Sequence, residues 1–431
     1  MGDANRSSRC SMPQSDKSSL YYDILVDSEC SGMVRDDLKE IVKRFSKLLV
    51  KERQGLALAA YENDTLVVDL WGGFADKKKR KVWKENTMTV AFSTSKVIGA
   101  LIVAILVSRG YLKYEDLVIT YWPEYGQNGK EETTVEWLVG HKAGLITFDV
   151  DFSLSQCNDY KYLSGIIEKT KPRWKPGTVT AYHALTYGFL IDQLVRRVDP
   201  KKRGVGDFFR EEIVPFMKET NTCSDFFLID KDFYIGLPDE LFGRMAKVTF
   251  QRQINIAKYI LKDAVYIKVF LNSLLSGYCY WNSPVQSATR YPSCLNLMKP
   301  ATYKDSRIWK IENLSAFGIC TARGLASAIS AIMSHDLISA EIWDILSRPT
   351  EYVKDEVIQL HHYRGHGFFY RPHPTRKNSF ILEHSGNGMQ KVVFDPITKV
   401  SIAVLRNGLT WNFKKERESD YIASNILKQL K

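Results

Sequence analysis

The sequence predicts an α+β fold: a mostly antiparallel sheet flanked by helices, drawn from both ends of the chain around a helical middle. Three observations carry this. Two β-rich runs, Gly55 to Tyr61 and Thr65 to Trp71, are separated by the short polar turn Glu62-Asn63-Asp64, the mark of a hairpin. Strand-like runs return late, at Gly365 to Tyr370, Ser379 to His384, Met389 to Asp395 and Val400 to Arg406, with Asp395-Pro396-Ile397-Thr398 as a turn. Between them, from Tyr111 to about Pro300, the periodicity is mainly helical.

Taken in order, residues 1–32 are rich in Ser, Asp and Gly with little periodicity and read as a flexible arm. Leu38, Ile41, Val42, Phe45, Leu48 and Leu49 then trace one face of a helix that should pack on the sheet, with Asp36 and Asp37 favouring its start. The basic run Lys77 to Lys81 lies between a Gly-Gly-Phe turn and Val82-Trp83, so it reads as an exposed loop; a nuclear address or a patch for acidic surfaces is the other reading. Val97 to Val107 is an apolar helix, and Gly110 suits a left-handed cap after it. Thr134 caps a helix that exits at His141, and Leu185 to Val198 and Val205 to Met217 are further helices. Phe250 to Leu275 is apolar and aromatic. Tyr278 to Pro300 is irregular and aromatic, and either roofs a pocket or is a packing loop. Thr321 caps a helix over Leu325 to Met333, and Glu416 to Leu430 forms the last helix. The expected organisation is the arm and then one domain over 33–431, with an α/β part at about 33–110 and 311–431 and a helical part at about 111–310.

A chain of 431 residues with 45 % hydrophobic and 25 % charged residues has ample material for a large core. The net charge of +11 is spread along the chain, apart from Lys77 to Lys81 and Lys201-Lys202-Arg203. No basic motif with interleaved aromatics points to nucleic acid. The seven cysteines show neither metal spacing nor a compact disulfide framework, so no metal or other cofactor is expected, and free thiols in a reducing compartment are. The longest apolar run is too short for a bilayer, which takes ~20 residues. No integral membrane segment is therefore expected, and the default location is cytoplasmic. A mitochondrial presequence is the alternative, with Arg6 and Arg9 among serines, opposed by Asp3 and Asp16.

The chemistry gathers around Val90-Ala91-Phe92-Ser93-Thr94-Ser95-Lys96, which opens the apolar helix. Residues three apart share a helix face, so the Ser93 hydroxyl and the Lys96 amine can meet. The helix N-terminus favours a developing negative charge. Burial disfavours the ammonium, and a neutral lysine beside a hydroxyl can activate a nucleophile. Ser93 and Lys96 are the only serine and lysine in the chain at this spacing. An N-cap serine followed by a solvated lysine fits the same letters. Two further segments matter. Lys175-Pro176-Gly177-Thr178 turns the chain just before Tyr182, and a tyrosine beside an ammonium can serve as a general base. Glu383-His384-Ser385-Gly386-Asn387-Gly388 is a strand edge whose glycines admit a close carbonyl and whose N–H groups can bind an oxyanion. A bonded core tyrosine, a satisfied sheet histidine and glycines that only turn the chain are the plain alternatives.

In this order the segments resemble the class C β-lactamase, penicillin-binding-protein-like and carboxylesterase family of serine hydrolases. Supporting matches are Leu70-Trp71-Gly72-Gly73, the run from Trp137 to Leu145, Gly318 with Thr321-Ala322-Arg323, and His384-Ser385-Gly386, so the similarity spans about residues 35 to 425. The resemblance implies a two-part, serine β-lactamase/transpeptidase-like fold with the site between a sheet part and an all-helical part. It implies Ser93 as the acylated nucleophile and Lys96 and Tyr182 as the pair that moves its proton. The oxyanion hole would use the Ser93 N–H and one from Ser385-Gly386-Asn387. His384 stands where many relatives carry the lysine of Lys-Thr-Gly and would bind or polarise the acyl group.

The sequence departs from the penicillin-recognising pattern at Tyr182-His183-Ala184, where those members carry Tyr-x-Asn. The missing amide puts β-lactamase activity in doubt and leaves ester hydrolysis standing, as in the esterase-type branch. A metallo-β-lactamase is excluded, since no His-x-His-x-Asp pattern occurs. The expected activity is a metal-free serine hydrolase acting through an acyl-enzyme on a small-molecule carboxylic ester or amide. A non-catalytic structural or self-assembling protein on the same fold, and a small-peptide peptidase, are the alternatives. The oligomeric state is left open.

Overall fold

A computed structural model describes residues 21–26, 30–217, 232–251, 267, 283–410 and 413–430. The early hairpin is strands β3 (Gly55–Glu62) and β4 (Thr65–Asp76), and its turn places both Asn63 and Asp64 at positive φ. Short polar side chains tolerate that conformation, which matches the twist of the strands it joins. β3 pairs antiparallel with β14 (Val400–Arg406), so the two ends of the chain share one sheet as expected. From one edge to the other the order is β1 (Tyr21–Val26), β2 (Cys30–Arg35), β4, β3, β14, β13 (Gln390–Asp395), β12 (Phe380–Gly386), β11 (Phe368–Pro372), β10 (His361–Gly365) and β9 (Glu351–Lys354). The two-residue strand β5 (Lys81–Val82) joins the far end of β4, and the basic run between them is an exposed turn.

The sheet is buried on both faces. Alternate residues of β3 and β14 point opposite ways, so Leu56, Leu58, Ala60, Ile402 and Val404 share a core with Ile41, Phe45, Ile422 and Ile426. These come from α1 (Glu40–Leu49) and from the C-terminal helix Phe413–Gln429. Ala57, Ala59, Tyr61, Ala403 and Leu405 face the larger core. That core contains α2 (Lys96–Ser108), and Gly110 beyond it takes the left-handed conformation expected of a cap. The helix Ala322–Ser334 crosses the same face, capped by Thr321, whose hydroxyl accepts the Gly324 N–H. Arg323 pins this helix to the sheet through Asp69 at 3.0 Å and to Asp232 at 2.9 Å.

The middle of the chain supplies α3 (Val135–Val139), capped by Thr134, then α4 (Tyr160–Lys169), α5 (Thr186–Val198), α6 (Val205–Glu212) and α7 (Pro284–Arg290). The helix expected to Met217 breaks into a 3₁₀ turn at Val214–Phe216, where Pro215 lacks an N–H. Most of Phe250 to Leu275 lies outside the described residues, as do residues 278–282.

Three expectations need correction. The last part of the expected N-terminal arm, residues 21–26 and 30–32, is strand, because β2 completes its hydrogen bonding on β4 and β1 on β2; residues 1–20 lie outside the description. The run Gly365 to Tyr370 is not one strand. His366 and Gly367, both at positive φ, turn the chain between β10 and β11. Glu136 holds that turn by accepting the His366 N–H at 2.9 Å. The segment Tyr278 to Pro300 is also less irregular than its composition suggests, since it contains α7 and a 3₁₀ turn at Ser293–Leu295. A small sheet of two-residue strands, β6 (Thr89–Val90), β8 (Ile319–Cys320) and β7 (Phe233–Tyr234), was not foreseen.

Candidate active site

Strand β6 delivers the chain into a 3₁₀ turn, Phe92–Ser95, that runs directly into α2. The turn is tied by its own side chains: the Thr94 hydroxyl donates to the Ala91 carbonyl at 2.8 Å, and the Ser95 hydroxyl to the Phe92 carbonyl at 2.6 Å. Phe92 has φ +52°, a conformation a bulky side chain rarely adopts. Its ring is held 5.2 Å from that of Tyr303. A strained residue thus sets the direction of its neighbour Ser93, which is 7 % exposed.

Lys96, in the first turn of α2, is fully buried. Its Nζ donates to the carbonyls of Ser315 at 2.6 Å and Ala184 at 3.0 Å. Carbonyl oxygens only accept, so both bonds can be kept by a neutral amine, whose lone pair remains available. Burial, with Arg364 nearby, drives the ammonium well below its ordinary value. The Nζ lies 4.6 Å from the centre of the Tyr182 ring.

Tyr182 follows the Pro-Gly turn, where Gly177 has φ +81° and the place of a Cβ is taken by Trp137, 2.7 Å away. Burial raises the phenol strongly; the Ser93 hydroxyl and Arg364 pull the other way. Ser93 is close enough to favour the phenolate, though no hydrogen bond of good geometry joins the two. Behind Tyr182 lies a buried ion pair the sequence did not reveal, Arg364 to Asp355 at 3.1 Å. Asp355 Oδ1 accepts the backbone N–H groups of Tyr182, Val357 and Ile358. His141, at φ +66°, packs its ring tilted 4.8 Å from the Tyr182 ring and accepts the His183 N–H. His183 is satisfied on both sides: Nδ1–H donates to the Ala181 carbonyl at 2.7 Å, and Nε2 accepts the Leu145 N–H at 3.1 Å. Burial takes its imidazole down to about 3.

Strand β12 brings the remaining predicted residues to the same place. A Cβ on Gly386 would meet the Ala91 carbonyl at 3.0 Å, which shows how closely the strand end abuts the Ser93 turn. His384 is 2 % exposed, and its Nδ1–H donates to the Ser385 carbonyl at 2.7 Å. That fixes the tautomer and leaves Nε2 as a bare acceptor without a partner among the described residues. Burial, and then Lys96, keep this ring neutral. The Asn387 amide donates to the Leu297 carbonyl at 3.5 Å.

Ser93, Tyr182, His384, Ser385, Gly386 and Asn387 all line one cavity of about 530 Å³, and Lys96 lies behind its floor. Its walls are largely apolar, from Val285, Leu297 and Met298 on one side and Val357, Ile358 and Phe369 on the other. Of the two readings of the stretch from Tyr278, its described part therefore takes the first and walls a pocket. At one end Lys391 is held between Glu383 and Asp420, 3.0 Å from each. The sequence missed His362 as well as Arg364 and Asp355. His141 lies within the run from Trp137 to Leu145, but nothing in the letters showed that it packs against Tyr182.

Comparison with known proteins bears on the family and the fold. Residues 39–225 match the family model described as beta-lactamase. Over 178 residues, 40 % of this chain, the sequence is 34 % identical to the esterase/beta-lactamase LipL of Mycobacterium tuberculosis. The chain spans only about 40 % of the length of that relative. The fold is similar to that of a family VIII carboxylesterase, with a TM-score of 0.74 and 22 % identity over 91 % of this chain and 100 % of the other. It is also similar to a penicillin-binding protein homolog from Caulobacter crescentus, with a TM-score of 0.73 and 25 % identity over 93 % of this chain and 100 % of the other. The resemblance to the β-lactamase-related serine hydrolases is thereby borne out, as is the α+β fold with its large antiparallel sheet.

Proposed function

We propose that this chain is a serine hydrolase that forms an acyl-enzyme on Ser93 and acts on an uncharged carboxylic ester. The observation that carries the reading is the convergence of Ser93, a buried Lys96 and Tyr182 at the floor of an apolar cavity. Ser93 Oγ attacks the ester carbonyl carbon as Lys96 and Tyr182 take up its proton. The charge that develops on the carbonyl oxygen is met by the Ser93 N–H, in the turn that leads into α2, and an N–H from Ser385-Gly386-Asn387. The proton passes to the departing alkoxide, and the alcohol leaves. Water then attacks the acyl-enzyme by the reverse sequence, giving the acid and free Ser93.

Several features favour an ester over a β-lactam or peptide. Both His183 ring nitrogens are committed to backbone, and the Ala184 side chain is a methyl with no amide to offer. Neither of these two side chains can bond a substrate amide. The neutral His384 and the paired Lys391 likewise supply no bare cation for a substrate carboxylate.

The test is intact mass after a fluorophosphonate probe, on wild type and Ser93→Ala, beside a short-chain ester panel and nitrocefin. A single adduct absent from the variant, with ester turnover and without nitrocefin turnover, is expected. A folded wild-type protein with neither adduct nor turnover would sink the reading and favour a non-catalytic role on this fold.

A further inference from the structure

Cys157 and Cys294 are 137 residues apart in sequence, yet their Sγ atoms stand 3.7 Å from each other. Cys157 is buried in the 3₁₀ turn Leu154–Asn158 of the helical part. Cys294 is half-buried in the 3₁₀ turn Ser293–Leu295, on the segment that walls the cavity. The two turns are already pinned side by side, since Asp151 Oδ1 accepts the Ser293 N–H at 2.7 Å and the Phe152 N–H at 3.0 Å. Bonding the sulfurs requires them to close by roughly 1.6 Å, within reach of side-chain rotation on such neighbouring turns.

We propose that Cys157 and Cys294 are a reversible redox pair, whose disulfide ties the cavity wall at Leu295–Met298 to the turn Leu154–Asn158. The route from sulfur to site is short. Leu297 and Met298 line the cavity, and the Leu297 carbonyl accepts both the Asn387 amide at 3.5 Å and the Tyr303 hydroxyl at 3.3 Å. Tyr303 in turn packs on Phe92, the strained residue before Ser93. Fixing Cys294 therefore fixes a wall bonded to both sides of the candidate site.

The more exposed thiol reacts first. When Cys294 loses its proton, the Cys157 thiol can donate to the resulting thiolate, which lowers Cys294 and raises Cys157. Asp151 opposes both ionisations. With a small disulfide such as oxidised glutathione, Cys294 thiolate attacks one sulfur and expels a glutathione thiolate. Cys157 then attacks Cys294 of the mixed disulfide and expels the second. Two protein thiols are oxidised, one glutathione disulfide is reduced to two thiols, and the two protein protons end on them.

The experiment incubates the full chain with oxidised glutathione, then reads intact mass, non-reduced peptide maps and hydrogen exchange. Expected are a loss of about 2 Da reversed by dithiothreitol, one cross-linked peptide joining Cys157 to Cys294, and slower exchange over residues 293–298. Cys157→Ser should stop at a glutathione adduct on Cys294. A wild-type map without the Cys157–Cys294 peptide, or with Cys294 left as the adduct, overturns the pair. Unchanged exchange at 293–298 in the cross-linked protein overturns its hold on the wall. Neither readout depends on ester turnover, so failure here is distinct from failure of the hydrolase reading.

Discussion

Lys96 Nζ sits 4.6 Å from the centre of the Tyr182 ring, while its hydrogen bonds go to two backbone carbonyls, those of Ala184 and Ser315. The ring face attracts a cation, by about 2 kcal/mol or more when dry, but burial with Arg364 alongside opposes the charge and lowers the ammonium well below its ordinary value. The amine is thus poised to receive a proton. Replacing Lys96 with Met keeps the length and removes the base. The expected loss in kcat on a short-chain ester is about 10³-fold, and about 10²-fold for Tyr182→Phe. The two bare carbonyls left by Lys96→Met should each cost about 1–3 kcal/mol of stability. Retention of kcat within about tenfold in a folded Lys96→Met protein would remove Lys96 from the proposed proton path.

Arg364 lowers Lys96 by charge and is paired with Asp355 beneath Tyr182. As pH falls, Lys96 takes up a proton and kcat/KM should fall with it. In Arg364→Gln the repulsion is gone, so the lysine holds its proton to higher pH and the acid limb of the profile should move upward. The same change leaves Asp355 buried without its partner, with an expected cost of about 3–5 kcal/mol. Adding Asp355→Asn should recover part of that stability, because the uncompensated charge is removed. An unshifted acid limb in folded Arg364→Gln would show that this guanidinium does not set the titration.

How far these groups could be read from the chain depends on how local their signals are. Ser93 and Lys96 announce themselves because one helical turn separates them, and Tyr182 and His384 because glycine turns stand beside them. Arg364 and Asp355 carry no such mark. They meet only because the turn before β10 folds back under Tyr182, and an isolated Arg in His361-His362-Tyr363-Arg364 reads as an exposed strand residue. The hairpin between β10 and β11 was hidden for a similar reason. Gly365 to Tyr370 ends in three consecutive aromatics that favour a strand, whereas the turn is held by Glu136, 230 residues away. Two-residue strands such as β6 and β8 are too short to show any period at all.

Gly386 is where the late strand and the nucleophile turn touch. A methyl group there would lie 2.9 Å from the Gln390 Cβ and 3.0 Å from the Ala91 carbonyl. Neither neighbour yields readily, since one is a Cβ on the paired strand and the other is backbone of the turn that feeds Ser93. Gly386→Ala should therefore push β12 away from that turn. The expected result is a stability loss of about 1–3 kcal/mol, with a larger proportional loss in kcat than in KM, because the oxyanion donors part while the apolar walls stay. Thermal unfolding and ester kinetics on the same preparation check this. An unimpaired kcat would mean that the strand end contributes no donor.

Buried neutral histidines make the fold sensitive to acid. Burial takes His183 from an ordinary 6.5 to about 3 and His362 from 6.5 to about 4, and His141 and His384 are lowered in the same direction. Between the two values the unfolded chain holds the proton and the folded chain does not. Stability from these groups is therefore fully present above about pH 6.5 and declines as pH falls through the folded values. The carboxylates held low by arginine, such as Asp199 beside Arg203, act in a lower window, below their ordinary 3.8. For His362 the expected loss between pH 6.5 and pH 4 is about 3 kcal/mol. Urea midpoints at pH 7, 5.5 and 4 should fall steadily in wild type and less steeply in His362→Gln, which keeps a polar side chain but cannot titrate. Parallel declines in the two proteins would show that His362 is already protonated in the folded chain, and that its place against Phe369, 5.0 Å between ring centres, is wet.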